Sequence, residues 1–395
     1  MVRLGEIFDV QITGEWGNEC AANETGTKVL RTTNFTSDGI IDFENVVIRI
    51  INKAKVEKKR LHCGDIILEK SGGTEKTPVG RVVFCDESIE DDTYLCNNFT
   101  QAMRVNQKVA FPRYVFYFMW YLHYSGRTDL LQNKTTGIRN LQVRSYLNEE
   151  IPLPPLDEQR RIAAVLDKVS GLIAKRREQL DKLDELVKSR FVEMFGDPVS
   201  NPKGWNIIRL SELGDCKNGM NFHTDDSGVE IHCLGVGDFK NLSSITDTAK
   251  LPIIALNEMP SDDYLLKNGD IVFVRSNGNK ALVGRSVIVY PEYTPTTFSG
   301  FCIRFRIQNS IILPQYLLSV LKTASMRKQM TGRGANIQNL NQKILSELQI
   351  PVPPLSYQEE YIDFAIKIDK SKLTIQQSLD KLEVLKKALM QQYFG

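Results

Sequence analysis

Two short loops carry the side chains best suited to binding a ligand. Lys and Arg supply positive charge to phosphates, while Arg, Asn and Ser can hydrogen-bond to base edges. Glycine allows a ligand to approach the backbone closely. The pattern predicts contact with nucleic acid, and ordinary surface turns are the alternative. The candidate residues are Lys70, Ser71, Gly73, Lys76 and Arg81 in the first loop, and Arg275, Ser276, Asn277, Asn279, Lys280 and Arg285 in the second.

A second pair of loops, 135–140 and 331–339, has the same polar and basic character. Arg139 and Asn140 are the candidate DNA-binding residues of the first, and Arg333 and Asn336 those of the second. The net charge of +2 is close to neutral. Binding to DNA would therefore have to come from local clusters of basic residues such as these.

The motifs of catalysis are missing from the sequence. It contains no phosphate-binding Gly-x-x-x-x-Gly-Lys-[Ser/Thr], no Gly-x-Gly-x-x-Gly and no Gly-x-Ser-x-Gly. The seven cysteines are widely spaced without a Cys-x-x-Cys pair, which favours reduced thiols. His62-Cys63 and His232-Cys233 are too far apart in sequence to predict a metal site. We therefore predict neither a catalytic nor a metal site.

The elements that must position these loops are revealed by an internal repeat. Moving residues 138–196 forward by 199 positions places them on 337–395 without a gap. Ile-Pro-Leu-Pro-Pro-Leu at 151–156 then meets Ile-Pro-Val-Pro-Pro-Leu at 350–355, and Phe195-Gly196 meets Phe394-Gly395. The period is far longer than that of a solenoid unit. Each copy is therefore predicted to be a globular domain followed by a long helix.

The helices, each about 38 residues long, show apolar residues at alternating spacings of four and three, which predicts left-handed coiled-coil packing. Asp157 and a capping box from Ser356 to Glu359 are predicted to start them, and Gly196 to end the first. Basic residues interrupt this seam at 176, 190, 372 and 386. The predicted pairing residues are Ile162, Leu166, Val169, Ile173, Leu180, Leu183 and Val187 in the first helix, and Ile368, Ile375, Leu379, Leu382 and Leu389 in the second.

The predicted fold class is α+β, with two mixed α/β domains and two long coiled-coil helices related by a pseudo-twofold repeat. The domains are expected at 1–156 and 197–355, and the helices at 157–196 and 356–395. Segments 66–70 and 271–275 read as strands that lead into the basic loops. The apolar run 111–124 is too short for a membrane span and predicts a buried helix starting at Pro112, with a counterpart at 313–322.

This order of elements resembles the specificity (S) subunit of type I restriction-modification systems. The resemblance is carried by Thr-Gly-x-Arg-Asn-Leu at 136–141, by both Pro-Pro-Leu segments, by Asp-Glu-Gln-Arg-Arg at 157–161, by Gly-Asp-Ile and by Val-Gly-Arg. It covers nearly the whole chain. The second copy departs from it with Ser-Tyr-Gln-Glu-Glu at 356–360.

The resemblance implies a non-catalytic, cytoplasmic prokaryotic protein without a membrane segment. Each domain would be a target recognition domain that reads one half of a bipartite double-stranded DNA sequence. The two long helices would pair antiparallel, set the spacer and dock two methyltransferase subunits, with restriction subunits joining for cleavage. S-adenosylmethionine and ATP with Mg would be bound by those partners, and no cofactor by this chain.

Two other hypotheses remain at the level of the sequence. A coiled-coil adaptor could use its two heads to bind proteins rather than DNA. Salt dependence separates these alternatives, because DNA binding weakens steeply as salt is added. A stand-alone methyltransferase comes third, since the sequence lacks the cofactor-binding and catalytic motifs of that class.

Overall fold

The computed structural model describes residues 1–21, 24–74, 77–135, 138–222, 226–239, 242–331 and 339–395. The chain divides into two units. Unit 1 comprises Met1–Glu178 and Ile375–Gly395, and unit 2 comprises Gln179–Thr374. Within the described residues, no helix is both long and apolar enough to cross a membrane.

Two of the helices are far longer than the rest and match the predicted pair. Each has 40 residues, or about 60 Å at 1.5 Å per residue. The helices predicted at Pro112 and its counterpart are also confirmed, since both begin at a proline. The described helices are α1 (Lys53–Lys59), α2 (Pro112–Tyr124), α3 (Val143–Leu147), α4 (Leu156–Phe195), α5 (Leu210–Leu213), α6 (Pro314–Lys322), α7 (Ala324–Thr331), α8 (Gln342–Ser346) and α9 (Leu355–Phe394).

Unit 1 contains two four-stranded sheets, ordered β2-β10-β6-β8 and β3-β5-β4-β9, a three-stranded sheet β11-β12-β7 and the pair β1-β13. Its strands are β1 (Val2–Arg3), β2 (Phe8–Thr13), β3 (Asn18–Glu19), β4 (Thr27–Leu30), β5 (Val47–Ile50), β6 (Ile66–Glu69), β7 (Ser71–Gly73), β8 (Val82–Phe84), β9 (Tyr94–Cys96), β10 (Thr100–Val105), β11 (Gln132–Thr135), β12 (Ile138–Leu141) and β13 (Glu150–Ile151).

Unit 2 repeats this plan despite its different sequence. Its sheets are ordered β15-β22-β19-β20-β17 and β18-β16-β21, with the pair β14-β23. The strands are β14 (Asn206–Arg209), β15 (Gly214–Asn218), β16 (Val229–Leu234), β17 (Ser244–Ile245), β18 (Ile253–Leu256), β19 (Asp270–Val274), β20 (Ser286–Val289), β21 (Thr296–Phe298), β22 (Cys302–Ile307) and β23 (Gln349–Val352). The predicted strands at the two Gly-Asp-Ile motifs are therefore confirmed as β6 and β19.

We call β6 the central strand of unit 1 and β19 that of unit 2. Each is buried on both faces, which explains its nearly continuous apolar sequence. Alternate residues point to opposite sides of a strand. In unit 1, Ile66 and Leu68 join the core that contains α2, whereas Ile67 joins the core under the second sheet. In unit 2, Phe273 faces the core of α6 and Val272 faces the second sheet. Each unit is thus a helix, a sheet and a second sheet packed in layers.

The predicted pairing seam of the long helices lies inward in both units. All the predicted pairing residues are buried or half-buried. In unit 1, Ile162 and Leu166 near the start of α4 share a core with Met390 and Phe394 near the end of α9. In unit 2, two ion pairs join the helices. Arg190 of α4 pairs with Glu360 of α9 at 2.7 Å, and Asp184 of α4 pairs with Lys372 of α9 at 2.5 Å. The helices therefore pack antiparallel within each unit.

The predicted capping residues are wrong. Helices α4 and α9 begin at Leu156 and Leu355, so Asp157 and Ser356 lie inside the first turn. The fixed φ of the proline just before each helix lets the helix begin directly after it. The predicted stop is confirmed, because Gly196 has a left-handed φ of 76° and its N–H donates to Val192 at 2.8 Å.

A buried glutamine holds each helix start in place. Gln159 accepts from the Phe111 N–H at 2.8 Å and donates to the Pro154 carbonyl at 2.8 Å. Gln358 accepts from the Leu313 N–H at 2.9 Å and donates to the carbonyls of Ile311 and Pro353, both at 2.9 Å. Each glutamine thus ties a proline-rich turn to the start of the helix packed beneath it.

Tyrosines Tyr114 and Tyr316 repeat this arrangement. The Tyr114 hydroxyl donates to the Pro152 carbonyl at 2.8 Å, and the Tyr316 hydroxyl donates to Pro351 at 2.8 Å. The same two rings contact the far ends of the long helices. The ring centroids of Phe394 and Tyr114 are 5.2 Å apart in unit 1, and those of Phe195 and Tyr316 are 4.9 Å apart in unit 2. In each unit, the start of one long helix therefore packs in the same core as the end of the other.

We predict that Gln358→Leu lowers the free energy of unfolding by about 1–3 kcal/mol, because it leaves the buried Leu313 N–H without its acceptor. Thermal unfolding followed by circular dichroism measures the change. Gln377→Ala, on an exposed part of the same helix, is the control and should be neutral. Equal melting temperatures for the two variants would contradict this role of Gln358.

Candidate nucleic-acid interface

Each Gly-Asp-Ile motif forms the turn that leads into the central strand of its unit, β6 or β19. Asp65 is fully buried and accepts two hydrogen bonds from Arg104, both at 2.8 Å, and one from the His62 N–H at 2.9 Å. Asp270 is bound in the same way by Arg306 and by the Lys267 N–H. The aspartates are therefore structural, and they fix where each strand begins.

At the other end of each central strand, two loops predicted separately from the sequence come together. In unit 1, the Leu141 N–H donates to the Lys70 carbonyl at 2.8 Å, and Ser71 pairs with Asn140 in the register of β7 and β12. In unit 2, the Leu340 N–H donates to the Arg275 carbonyl at 2.8 Å, and Ser276 bridges Asn339. We call Lys70, Ser71 and Asn140, with Arg275, Ser276 and Asn339, the strand-end surfaces.

Side-chain contacts link the two loops of the unit 1 surface. The Ser71 hydroxyl donates to the Asn140 side-chain oxygen. Gly73 is required in β7, since a Cβ there would lie 2.5 Å from the Thr77 carbonyl oxygen. Arg139 is half-buried opposite Gly73. Polar groups of the two loops are therefore presented together.

In unit 2 the predicted asparagines also shape their loop. The Asn277 side chain accepts from the Asn279 N–H at 2.8 Å, and the Asn279 side chain accepts from the Ala281 N–H at 3.0 Å. The side-chain oxygens of both asparagines are therefore used inside the loop. Arg275 is half-buried, and its guanidinium donates to the Gly300 carbonyl at 3.3 Å.

Arg81 has a different environment from the one expected for a phosphate contact. Its guanidinium donates two bonds of 2.8 Å to the buried carboxylate of Glu69 and a third of 3.2 Å to the Thr32 carbonyl. The bonds to Glu69 raise the pKa of Arg81. We therefore remove Arg81 from the proposed contact set, because its charge is already matched inside the fold.

The other predicted residues are only partly covered by the structure. Arg285 is half-buried near Arg327, whose guanidinium bonds to the carbonyls of Ala281 and Val283. Lys280 begins a short 3₁₀ helix, Lys280–Leu282. Lys76, Arg333 and Asn336 lie outside the described residues and stay predictions from the sequence.

Two residues beside the strand-end surfaces were missed in the sequence. Phe99 and Phe301 occupy equivalent turns before β10 and β22, and their carbonyls accept the N–H groups of Lys70 and Arg275 at 2.9 and 2.8 Å. Both rings are exposed. The sequence offers no clear signal for them, since an isolated phenylalanine before a strand usually predicts core packing.

The structure adds no sign of catalytic or metal chemistry within the residues it describes. No group of three His, Cys, Asp or Glu side chains there could hold a metal ion. All seven cysteines are free thiols, and burial raises the pKa of Cys216 and Cys233 to about 12. Such thiols are poor nucleophiles at neutral pH.

Two domains of one plan, with paired long helices and polar strand-end surfaces, define a recognition protein built as a tandem repeat. The family model of the type I restriction modification DNA specificity domain matches residues 1–184 and again 202–386. The chain therefore belongs to the family of DNA specificity (S) subunits of type I restriction-modification systems, which are non-catalytic.

Known proteins similar to this chain agree with that membership. The type I restriction enzyme StySPI specificity subunit of Salmonella potsdam is 25% identical over 355 residues, 85% of this chain and 73% of that protein. The S subunit from M. genitalium has a similar fold, with a TM-score of 0.56, 16% identity and coverage of 100% and 95% of the two chains. A chain from a study of type I R-M complex assembly and conformational transition also has a similar fold. Its TM-score is 0.58 at 18% identity, with coverage of 100% of this chain and 96% of that chain.

We predict that Arg81→Met lowers the stability of the protein, whereas Lys70→Met changes only its binding to DNA. Arg81→Met should destabilise the protein by about 1–3 kcal/mol, because the Glu69 carboxylate loses its partner. Lys70→Met should leave stability unchanged but reduce the slope of log K against log salt by about 0.9, as expected for one lost phosphate contact. Thermal unfolding and DNA-binding titrations at several salt concentrations measure the two effects. A reduced salt slope for Arg81→Met would restore Arg81 to the contact set.

Proposed function

We propose that each domain reads one half of a bipartite double-stranded DNA target through its strand-end surface. The observation that carries this proposal is the matched hydrogen bond from Leu141 to Lys70 and from Leu340 to Arg275. It joins a basic strand end to a polar loop in the same way in both domains. We assign the recognition domains to 1–156 and 197–355, and the spacer helices to 157–196 and 356–395.

The two surfaces share a backbone but differ in the groups they offer. The first presents Lys70, Ser71 and Asn140, and the second presents Arg275, Ser276 and Asn339, with Asn277 and Asn279 in the loop that follows Ser276. Arginine can bind guanine through two hydrogen bonds, and asparagine can bind adenine similarly, while lysine acts more as a point charge. Two surfaces that differ in this way suit an asymmetric target, in which each half has its own sequence.

We predict that exchanging residues 197–355 for the corresponding domain of another family member changes one half of the methylated motif and leaves the other half unchanged. Methylation-aware sequencing of host DNA, with the chain and its methyltransferase co-expressed, reads the motif directly. The matched control exchanges residues 1–156, which should change the opposite half. A motif unaffected by both exchanges would show that the specificity lies elsewhere.

The long helices are the proposed docking scaffold for two methyltransferase subunits, which restriction subunits would join for cleavage. Leu186 and Leu385 occupy equivalent positions of the repeat, and both are 45% exposed. Val165 and Leu172, at a spacing of seven residues, are also exposed on α4. Equivalent apolar positions suit two identical partners. S-adenosylmethionine and ATP with Mg belong to those partners in this proposal.

The helix pair also acts as the proposed spacer between half-sites. We predict that deleting residues 175–181 and 375–381 together shortens the allowed DNA gap by about 3 base pairs, since seven residues span about 10 Å and a base pair rises about 3.4 Å. The deletion keeps the seven-residue phase of the seam. It also keeps the pairs Arg190–Glu360 and Asp184–Lys372.

The motif determined by methylation-aware sequencing again measures the outcome. Inserting one heptad at each of the two sites is the matched control and should lengthen the gap. Loss of all methylation in folded complexes would mean that DNA twist cannot follow the change, since 3 base pairs turn the half-site by roughly a third of a turn. Methylation at the original gap in both variants would refute the spacer role.

A further inference from the structure

Phe99 and Phe301 are exposed in equivalent turns of the two domains. Their side chains are 47% and 62% exposed. A single exposed apolar residue needs no special explanation. Here the exposure occurs twice, at the residue whose carbonyl receives the N–H of the basic strand-end residue in each domain. This coincidence links the two rings to the strand-end surfaces.

Buried residues anchor the turn that carries each ring, two positions before the ring and one position after it. In unit 1, Asn97 is 4% exposed and Thr100 is fully buried, and the Thr100 hydroxyl donates to the Asn97 carbonyl at 2.8 Å. In unit 2, Ser299 is 8% exposed and Cys302 is fully buried, and the Cys302 N–H donates to the Ser299 carbonyl at 2.8 Å. The backbone of each turn is therefore fixed on both sides of the ring.

A second hydrogen bond to each carbonyl fixes the turn further. The Phe99 carbonyl accepts from Lys70 at 2.9 Å and from Ser71 at 3.2 Å. The Phe301 carbonyl accepts from Arg275 at 2.8 Å and from Ser276 at 3.4 Å. The backbone that carries each ring is therefore fixed beside a basic residue, and only the two side-chain torsions of the ring have to be ordered when a ligand binds.

The charges around the turns favour an anionic ligand. Arg275 bonds to the Gly300 carbonyl, within the same turn as Phe301. In unit 1, Glu15 lies beside the turn, but Lys55 and Lys59 pair with it at 3.3 and 2.9 Å. Lys70 adds a further positive charge. An apolar ring flanked by positive charge matches a base stack bordered by phosphates.

We propose that Phe99 and Phe301 are equivalent apolar wedges, each of which stacks on or between bases of its own half-site. This inference rests on the proposed reading of DNA by the strand-end surfaces and names one base contact in each. Apolar side chains at DNA interfaces partly unstack a base step, and the bent duplex then contacts more of the protein. Because every base has an aromatic face, such a contact adds affinity at a fixed position in each half-site.

The experiment uses the full chain in complex with its methyltransferase subunits and a duplex carrying the methylated motif. Phe99→Ala and Phe301→Ala should each weaken binding by about 5- to 150-fold at fixed salt, as expected for one lost stacking contact. Phe99→Trp should retain affinity. Tyr293→Ala is the control, because Tyr293 is 98% exposed but follows the far end of β20. It should bind as the unsubstituted complex does.

Permanganate oxidation of unstacked thymines locates each wedge. The unsubstituted complex should show enhanced reactivity in both half-sites, and each alanine variant should lose it in one half-site only. Binding within twofold of the unsubstituted complex for both alanine variants would overturn the wedges. If Arg275→Ala still weakened specific binding in that case, the proposed function would stand. A complex that binds every duplex equally would overturn both proposals.

Discussion

The packing of Phe195 and Phe394 determines how this chain can be organised. Each phenylalanine ends a 40-residue helix, and each is almost fully buried against a tyrosine at the start of a shorter helix. A helix this long with a half-polar sequence would gain little stability alone, because helical stability in proteins comes mainly from packing. Burial of its last apolar residue fixes the end of each helix, while Gln159 or Gln358 fixes its start.

This arrangement separates two requirements that would otherwise conflict. The proline turn, buried glutamine and terminal phenylalanine recur at a constant distance of 199 residues, so changes there would disturb both units. The heads accept insertions, since equivalent positions such as Tyr114 and Tyr316 are 202 residues apart, and Lys70 and Arg275 are 205 apart. A surface loop tolerates such changes at small thermodynamic cost. The recognition surfaces can therefore vary while the scaffold stays fixed.

The sequence predicted the parts of this structure that depend on local pattern. The seam of the long helices, the proline-started helices α2 and α6 and the central strands β6 and β19 all follow from periodicity and turn residues. It could not show that the loop at Ser71 pairs with the loop at Asn140, because that contact joins residues 69 positions apart. Nor could it show that Glu69 neutralises Arg81, since side-chain charge alone does not reveal a partner.

Unit 1 is assembled from two distant pieces of chain, whereas unit 2 is one continuous segment. During synthesis, residues 179–374 emerge from the ribosome before residues 375–395. The second unit therefore has its complete sequence while the first still lacks part of its core. Met390 and Phe394, which follow unit 2 in the sequence, fill that gap. The first head of this protein therefore reaches its final packing only after all of unit 2 has been synthesised, and loss of residues 390–394 would damage the N-terminal domain.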